Sequence, residues 1–269
     1  MRVFPKYEKN SSHFQFIPWE SNWFIALMII CLNCVLSADS NSGHNEFEEG
    51  LAFQHGDGVA QDWSAARKKY QEASALGNHS ASHHLGLMYR HGDGVDKNLT
   101  LAVSWMEKAA DQGSADAMND LGVYHKDGLG VDQNYTRAAS WFRKGSELGN
   151  AFAQFNLGLM HTSGLGVEID LNKSTNLYEA AAFSGYNAAQ RNLGILKNMR
   201  EKNTYDQTEA YAWLLIASIN KDFYAPEIFR ELASAMSPEE IDAGRRKATQ
   251  FLEKSQQILN DWSPAPQVP

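Results

Sequence analysis

Apolar and polar positions in this chain recur every 36 residues. The segment Leu85-Gly86-Leu87-Met88-Tyr89-Arg90-His91-Gly92-Asp93-Gly94-Val95 returns over 121–131 and again over 157–167, and a weaker copy runs from Glu49 to Val59. Gly50, Gly86, Gly122, Gly158 and Gly194 therefore stand in one column. A period of roughly 20–50 residues marks a stacked array of like units. Each copy predicts two helices; in the second, helix A covers Ser80 to His91 and helix B covers Leu99 to Gln112. Gly92-x-Gly94 between them supplies positions that accept φ > 0, so the chain can leave helix A sharply. Val59, Val95, Val131 and Val167 follow the second glycine and are expected to plug the turn into the core.

Helix B has a start column of its own in Asp62, Asn98, Asn134, Asp170 and Asp206. Asp and Asn are preferred N-caps because their side chains accept a bond from a backbone N–H that the helix leaves unpaired. Asp206 and Glu209 also have capping-box spacing. Asn98-Leu99-Thr100 and Asn134-Tyr135-Thr136 read as glycosylation acceptors too, but the period accounts for both asparagines without a sugar, whereas Asn172-Lys173-Ser174 has no such column behind it. Further along helix B, Trp105, Trp141, Leu177 and Trp213 are in register, as are Ala102, Ala138 and Ala210, and Ala73, Ala109, Ala181 and Ala217. Glycine inside a helix costs about 1 kcal/mol against alanine. Its recurrence in helix A asks for a packing reason: the missing side chain lets the two helices approach, or makes room for the indole. Gly77, Gly113, Gly149 and Gly185 end helix B, and Ala81, Ala117, Ala153, Ala189 and Ala225 open the next helix A.

The ends of the array are weaker. In the fifth copy Leu193-Gly194-Ile195 is intact, but Arg200-Glu201-Lys202-Asn203 replaces the glycine turn, so the helix pair is expected with a different connection. The sixth copy keeps Ala225 and a helical pattern to Ala235. Ser237-Pro238-Glu239-Glu240 then starts a last, polar helix to about Leu259, with Ser as cap, Pro at the first helical position and Glu at the third. A polar closing helix is what the open end of such an array requires. The organisation expected is a leader over 1–38, a linker over 39–45, repeats over 46–222, closing helices over 223–259 and a disordered tail over 260–269.

With 43% hydrophobic residues, the 269-residue chain can bury an extended core. A net charge of −8 argues against a nucleic-acid partner, because phosphate binding needs a basic surface. Cys31 and Cys34 both fall inside the apolar run from Trp23 to Leu36, which Asn33 alone interrupts. A C-x-x-C pair in that setting reads as small apolar residues rather than a redox or metal site. Arg2, Lys6 and Lys9 precede the run, Ser37-Ala38 closes it, and Asp39, Glu46, Glu48 and Glu49 follow. That order resembles a secretory signal cut after Ser37 or Ala38, and the run is shorter than the ~20 apolar residues of a membrane-spanning helix. The long leading stretch with Glu8 and Glu20 departs from a signal, and an uncleaved anchor with its basic end in the cytoplasm is the second reading. Either form predicts a periplasmic protein, or one held on the inner membrane facing outward, touching membrane only through this segment. The alternative is a cytoplasmic protein with an unusual N-terminus. The exported body, lacking cysteine, folds without disulfides.

Ala-x-x-x-Leu-Gly-x-x-Tyr, then Gly-x-Gly-Val, a short link, Ala-x-x-Trp and a Lys-Ala-Ala ending together resemble the Sel1-like repeat family. The best copy runs from Ala81 to Gly113, with Trp105-Met106-Glu107-Lys108-Ala109-Ala110, and Glu209-Ala210-Tyr211-Ala212-Trp213-Leu214 is similar to a terminal repeat of bacterial members. The resemblance covers about residues 46–222. It implies an all-α, right-handed α/α solenoid related to tetratricopeptide arrays, of about five helix pairs plus closing helices, and an adaptor that holds protein partners. His125 and His161 in the Tyr column, Gly145 in place of Ala, and the missing glycines of the last copies depart from the pattern.

Catalytic signatures are missing from the sequence: no phosphate loop, no H-E-x-x-H and no nucleophile elbow. His55-Gly56-Asp57-Gly58 and His91-Gly92-Asp93-Gly94 suggest a metal ridge, but Asp127 and Leu129 break it in the third copy, so no metal and no cofactor is expected. Some cysteine-rich relatives bind or hydrolyse β-lactams; the cysteine pairs that mark them are lacking here. What remains is binding of a protein or peptide on the concave wall that stacked A helices form. The candidate residues lie in two adjacent columns, His83, Asn119, Phe155 and Arg191, and His84, Asp120, Asn156 and Asn192. Their amides could pair with an extended peptide backbone; the competing reading is that these groups face water or bond within the array. The function expected is a non-enzymatic scaffold of the cell envelope. The alternatives are an envelope hydrolase acting on a β-lactam or cell-wall substrate, and a eukaryotic luminal adaptor, which a glycan on Asn78 would favour.

Overall fold

The computed structural model describes residues 43–199 and 206–262. The leader, its two cysteines, the linker up to Ser42, the replaced turn of the fifth copy and the tail beyond Trp262 lie outside the described residues. Among the described residues are twelve helices and no strand: α1 (His44–His55), α2 (Trp63–Ala75), α3 (His79–His91), α4 (Leu99–Asp111), α5 (Ala115–Asp127), α6 (Tyr135–Glu147), α7 (Ala151–Ser163), α8 (Leu171–Phe183), α9 (Asn187–Lys197), α10 (Gln207–Ile219), α11 (Ala225–Ser234) and α12 (Pro238–Trp262). None of these helices is long and apolar enough to cross a membrane. Odd-numbered helices are the A helices and even-numbered ones the B helices. From α1 to α10 each helix packs on its pair partner and on the next helix in sequence, the contact pattern of an α/α solenoid; α11 packs on α10, and α12 packs on α10 and α8.

The predicted start signals operate. Asp62, Asn98, Asn134, Asp170 and Asp206 each accept a backbone N–H from the first turn of their B helix, at 2.8–3.0 Å. The same residues close the A–B loop from the other side, since the N–H of each donates to a carbonyl at the end of helix A. In the third copy Asn134 donates to His125 at 2.7 Å, and in the fifth Asp206 donates to Lys197 at 2.8 Å. The fifth loop is therefore closed as the others are, although its glycines are gone. The Asp206–Glu209 pair makes only half a capping box, because the Glu209 carboxylate turns to Lys197 (2.6 Å) and Lys247 (3.5 Å) instead. At α12 the box is complete: Glu240 accepts from Ser237 N at 2.8 Å, and Ser237 Oγ accepts from Glu240 N at 3.2 Å.

The recurring glycine of helix A meets a different partner from the one expected. A Cβ at Gly50 would strike the Tyr70 ring, at Gly86 the Met106 side chain, at Gly122 the Phe142 ring, at Gly158 the Tyr178 ring and at Gly194 Leu214. The notch thus receives the residue after the indole column. Successive helical residues point about 100° apart, so the two columns serve different neighbours. Trp105 leans back on the α2/α3 cluster of Tyr70, Leu85 and Met88, and Trp141 on the α4/α5 cluster of Met106, Leu121 and Tyr124. Trp213 lies in the α8/α9 cluster and stacks on Phe251 of α12, with ring centroids 4.6 Å apart. One column locks each helix pair internally; the next welds it to the preceding pair.

Gly130, second in the glycine turn of the third copy, has φ 72°, and a Cβ there would lie 2.6 Å from the carbonyl of Leu99 at the start of α4. Gly128, first in that turn, has φ 71° but ordinary space around it, with the closest atom 3.4 Å away. Gly128→Ala is expected to cost about 1 kcal/mol for the left-handed backbone alone. Gly130→Ala is expected to cost about 1–3 kcal/mol more, because turn and helix must separate. Urea unfolding midpoints of the two variants measure the difference, and equal costs would mean that the close approach does not matter.

Candidate functional site

The A-helix residues singled out from the sequence fall into register with one another across repeats. Phe47, His83 and Asn119 of the first column each meet the member of the second column in the next copy. The His83 ring nitrogen Nε2 lies 3.0 Å from Asp120 Oδ2, and Asn156 Nδ2 donates to Asn119 Oδ1 at 2.9 Å. Phe47, in the same column as His83, packs edge-on against His84 at 5.2 Å between centroids. His84 also places Nδ1 2.9 Å from the Ser80 carbonyl. At Phe155 the polar ladder gives way to rings: Tyr178 lies 5.6 Å away and Tyr186 5.0 Å away. Asn192 accepts instead from Arg191 Nε at 3.3 Å. The Arg191 guanidinium donates to both carboxylate oxygens of Asp222, at 2.8 and 3.1 Å. Each of these polar candidates is thus hydrogen-bonded inside the array, and the pairs run along consecutive A helices, tying them into one face.

Some residues that shape this face lie outside the two columns. Asn78, Ser114 and Asn150 accept from the first turns of α3, α5 and α7, at 2.9, 3.2 and 2.8 Å. Asn78 Nδ2, the atom a glycan would need, donates to the Gly43 carbonyl at 3.4 Å. One period on, Tyr186 stands in this column, and α9 has no side-chain cap. The Tyr186 ring instead packs edge-on against Phe152 (4.9 Å) and Phe155. Phe152 occupies the column of Ser80 and Asp116. Three positions that are polar in the second and third copies have therefore become aromatic together, and Tyr186 touches both phenylalanine rings. In the next copy Asp222 resumes capping, accepting from Tyr224 N and Ala225 N at 3.0 and 2.9 Å, while it holds Arg191. Arg191 in turn lies 5.3 Å from the Tyr224 ring, which packs on Phe223. Phe152, Tyr224 and Phe223 are 52%, 62% and 87% exposed, so the strip is an open aromatic surface. Arg191 and Asp222 pair within it, and no Asp, Glu, Lys or Arg occurs from Leu148 to Val167. The signal was present in the sequence as departures from columns, visible once the columns are read as caps.

Elsewhere, open clefts of about 780 and 710 Å³ lie at the glycine turns of the third and second copies, one lined by His125, Asn134 and Arg137, the other by Arg67, Tyr89 and Lys97. Each mixes basic residues with an acid, Asp132 or Asp96. Among the described residues no three of His, Cys, Asp and Glu gather as a metal would need.

Geometry and register define an α/α repeat protein whose A helices present one face, polar toward its N-terminal half and aromatic toward its C-terminal end. The chain belongs to the Sel1 repeat family, whose pattern matches residues 49–78, 79–114, 115–150, 151–186 and 187–222. It is similar to the crystal structure of c5321, a protective antigen of uropathogenic Escherichia coli strains with an SLR fold, at 28% identity and a TM-score of 0.71 over 87% of this chain. This chain spans 51% of that protein's length. It is also similar to a Sel1 repeat protein from Oxalobacter formigenes, at 29% identity and a TM-score of 0.66, over 81% of this chain and 89% of that one. No curated protein matches it.

Burial holds the His84 imidazole below its ordinary pKa, and the neighbouring His83 and His55 add to this against the Ser80 carbonyl. Burial, with Arg137 beside it, lowers His125 in the same way. Both are therefore harder to protonate when folded. As pH falls through about 6.5 the unfolded chain takes up protons that the folded chain refuses, and stability declines. The urea midpoint is expected to drop between pH 7.5 and pH 5.5, above the range where carboxylates titrate, and the drop should shrink in His84→Gln. An unchanged pH slope in that variant would assign the effect elsewhere.

Proposed function

We propose that this protein is a non-enzymatic scaffold that holds a partner protein on its A-helix face, with Phe152, Tyr186 and Tyr224 as anchors. The observation that carries the reading is the joint replacement of a cap, a ladder position and a solvent-facing position by rings that meet in space. Loss of an N-cap costs about 1 kcal/mol, and large aromatic side chains left in water contribute nothing to folding. Such a cluster is accounted for when a partner covers it, since buried aromatic anchors dominate protein interfaces. The polar columns His83/Asp120 and Asn119/Asn156 then act chiefly by keeping the A helices in register, and the partner reads the surface they present. The order of basic stretch, short apolar run and Ser37-Ala38 supports work outside the cytoplasm, periplasmic or anchored at the inner membrane. The acidic balance of the chain supports a protein rather than a nucleic-acid partner.

A photoreactive p-benzoyl-phenylalanine placed at Phe152 or Tyr186 in living cells tests this, with Arg143 on the exposed side of α6 as control. A single discrete protein adduct is expected from the two test positions, about ten-fold above the control, reduced by Tyr224→Ala. The adduct should fractionate with the envelope. Equal yields from Arg143, or no adduct from either test position, would contradict the reading.

A further inference from the structure

We infer that the aromatic strip docks a second molecule of this same chain, the two strips running antiparallel about a two-fold axis. The inference rests on the strip being a protein-binding surface, and it names the protein. The strip continues along the turns that join each helix B to the next helix A. Phe152 is edge-on to Tyr186 at 4.9 Å, Asn187 Nδ2 donates to the Asn220 carbonyl at 3.5 Å, and Tyr224 packs on Phe223, so three successive turns form one edge. On the two outer turns Leu148, Phe152, Ile219, Phe223 and Tyr224 are each at least half exposed. Five large apolar side chains exposed to that degree offer roughly 500–600 Å². Two molecules together then bury roughly 1,000–1,200 Å², which reaches the ~1,000 Å² that a specific interface needs.

Charge selects the same chain as occupant. With a net charge of −8, two molecules can meet closely only on a surface that brings no acids together. The edge is such a surface, since no Asp, Glu, Lys or Arg falls in 148–167, 180–190 or 210–220. Arg191 and Asp222 satisfy each other. That leaves Glu147, the last residue of α6, before the first turn, and Lys221 in the third. Both are exposed, and among the described residues neither enters a salt bridge. In an isologous contact residue i of one protomer meets j of its partner, and j meets i. With the axis crossing the edge at Tyr186, the first turn of each protomer faces the third turn of the other, and Glu147 meets Lys221 twice.

Lys221 stands there against the preference of the fold. It occupies the column of Gly77, Gly113, Gly149 and Gly185 and keeps their left-handed backbone, with φ 63°, alone among the described non-glycine residues. That conformation disfavours any residue with a Cβ. A Cβ at any of those four glycines meets nothing within 4 Å, and Lys221 is likewise exposed. Backbone strain kept for a side chain with no bond inside the molecule points to a bond outside it.

The test expresses two full-length forms with different epitope tags together in cells, one of them carrying p-benzoyl-phenylalanine at Phe223. After irradiation an adduct bearing both tags is expected, joined at the peptide that contains Leu148 and Phe152. Lys221→Glu in both forms should lower its yield about ten-fold, and Glu147→Lys likewise, because like charges then face each other twice. The two reversals combined in each chain should restore the yield to within about two-fold of the parent. Lys221→Gly, the residue type of the other copies, should lower the yield about three-fold through loss of the pair, yet melt no lower than the parent. A both-tag adduct that survives Lys221→Glu, or a combined variant no better than the single ones, overturns the inference, as does the lack of any both-tag adduct. Adducts to a different protein from Phe152, Tyr186 or Phe223, with none bearing both tags, remove the self-pairing and leave the scaffold. The lack of every adduct removes both.

Discussion

The structure depends on one steric relation repeated along the chain: a glycine in the middle of helix A against a large side chain from helix B. The gap left by Gly50, Gly86, Gly122, Gly158 or Gly194 is filled by Tyr70, Met106, Phe142, Tyr178 or Leu214. The cost of glycine in a helix, about 1 kcal/mol, is offset by burying a side chain worth roughly 1.5–3 kcal/mol against its partner helix. Because the notch fixes how closely A and B approach, it also fixes where the neighbouring position of helix B points. That position carries Trp105 and Trp141 back onto the preceding pair, and Trp213 into the clusters that α12 completes. Stacking of the pairs follows from the notch, and the A-helix face follows from the stacking.

On that face the chain divides its residues between two duties. Where copies present His83, Asn119, Asp120 and Asn156, the side chains bond across the repeat boundary and stiffen it. Where they present Phe152, Phe155 and Tyr186, the bonding groups and a helix cap are given up for rings. Arg191 and Asp222 mark the border, since Asp222 caps α11, neutralises Arg191 and helps seat Tyr224 in one arrangement. A repeat protein contains its own control in this respect: each column states what the fold requires, so a position that breaks several columns at once answers to something other than folding.

Much of the architecture was legible in the sequence because period, caps and turn glycines all act locally. The Asp/Asn column fell where the helix B starts are, and the glycine turns took the left-handed conformations their type allows. The partner of the glycine notch was misread, since two adjacent columns of helix B are both bulky and spacing alone does not say which faces helix A. The discriminating sign was Lys69, which stands in the indole column of the first copy while Gly50 remains; the next column is large in all five copies. The pairing of His83 with Asp120 and of Asn119 with Asn156 was beyond the sequence, as it depends on how far one A helix is shifted against the next. The aromatic strip was hidden because Tyr186 and Asp222 disguise the cap column of Asn78, Ser114 and Asn150 at its end.

The central claim is steric, and a double-mutant cycle on Gly122 and Phe142 addresses it directly. With Phe142 in place, Gly122→Ala should destabilise the array by about 1–3 kcal/mol through overpacking. In a Phe142→Ala background the same change should turn stabilising, by up to about 1 kcal/mol, because only the helical preference of alanine remains. A Gly122→Ala effect of the same sign and size in both backgrounds would contradict the account.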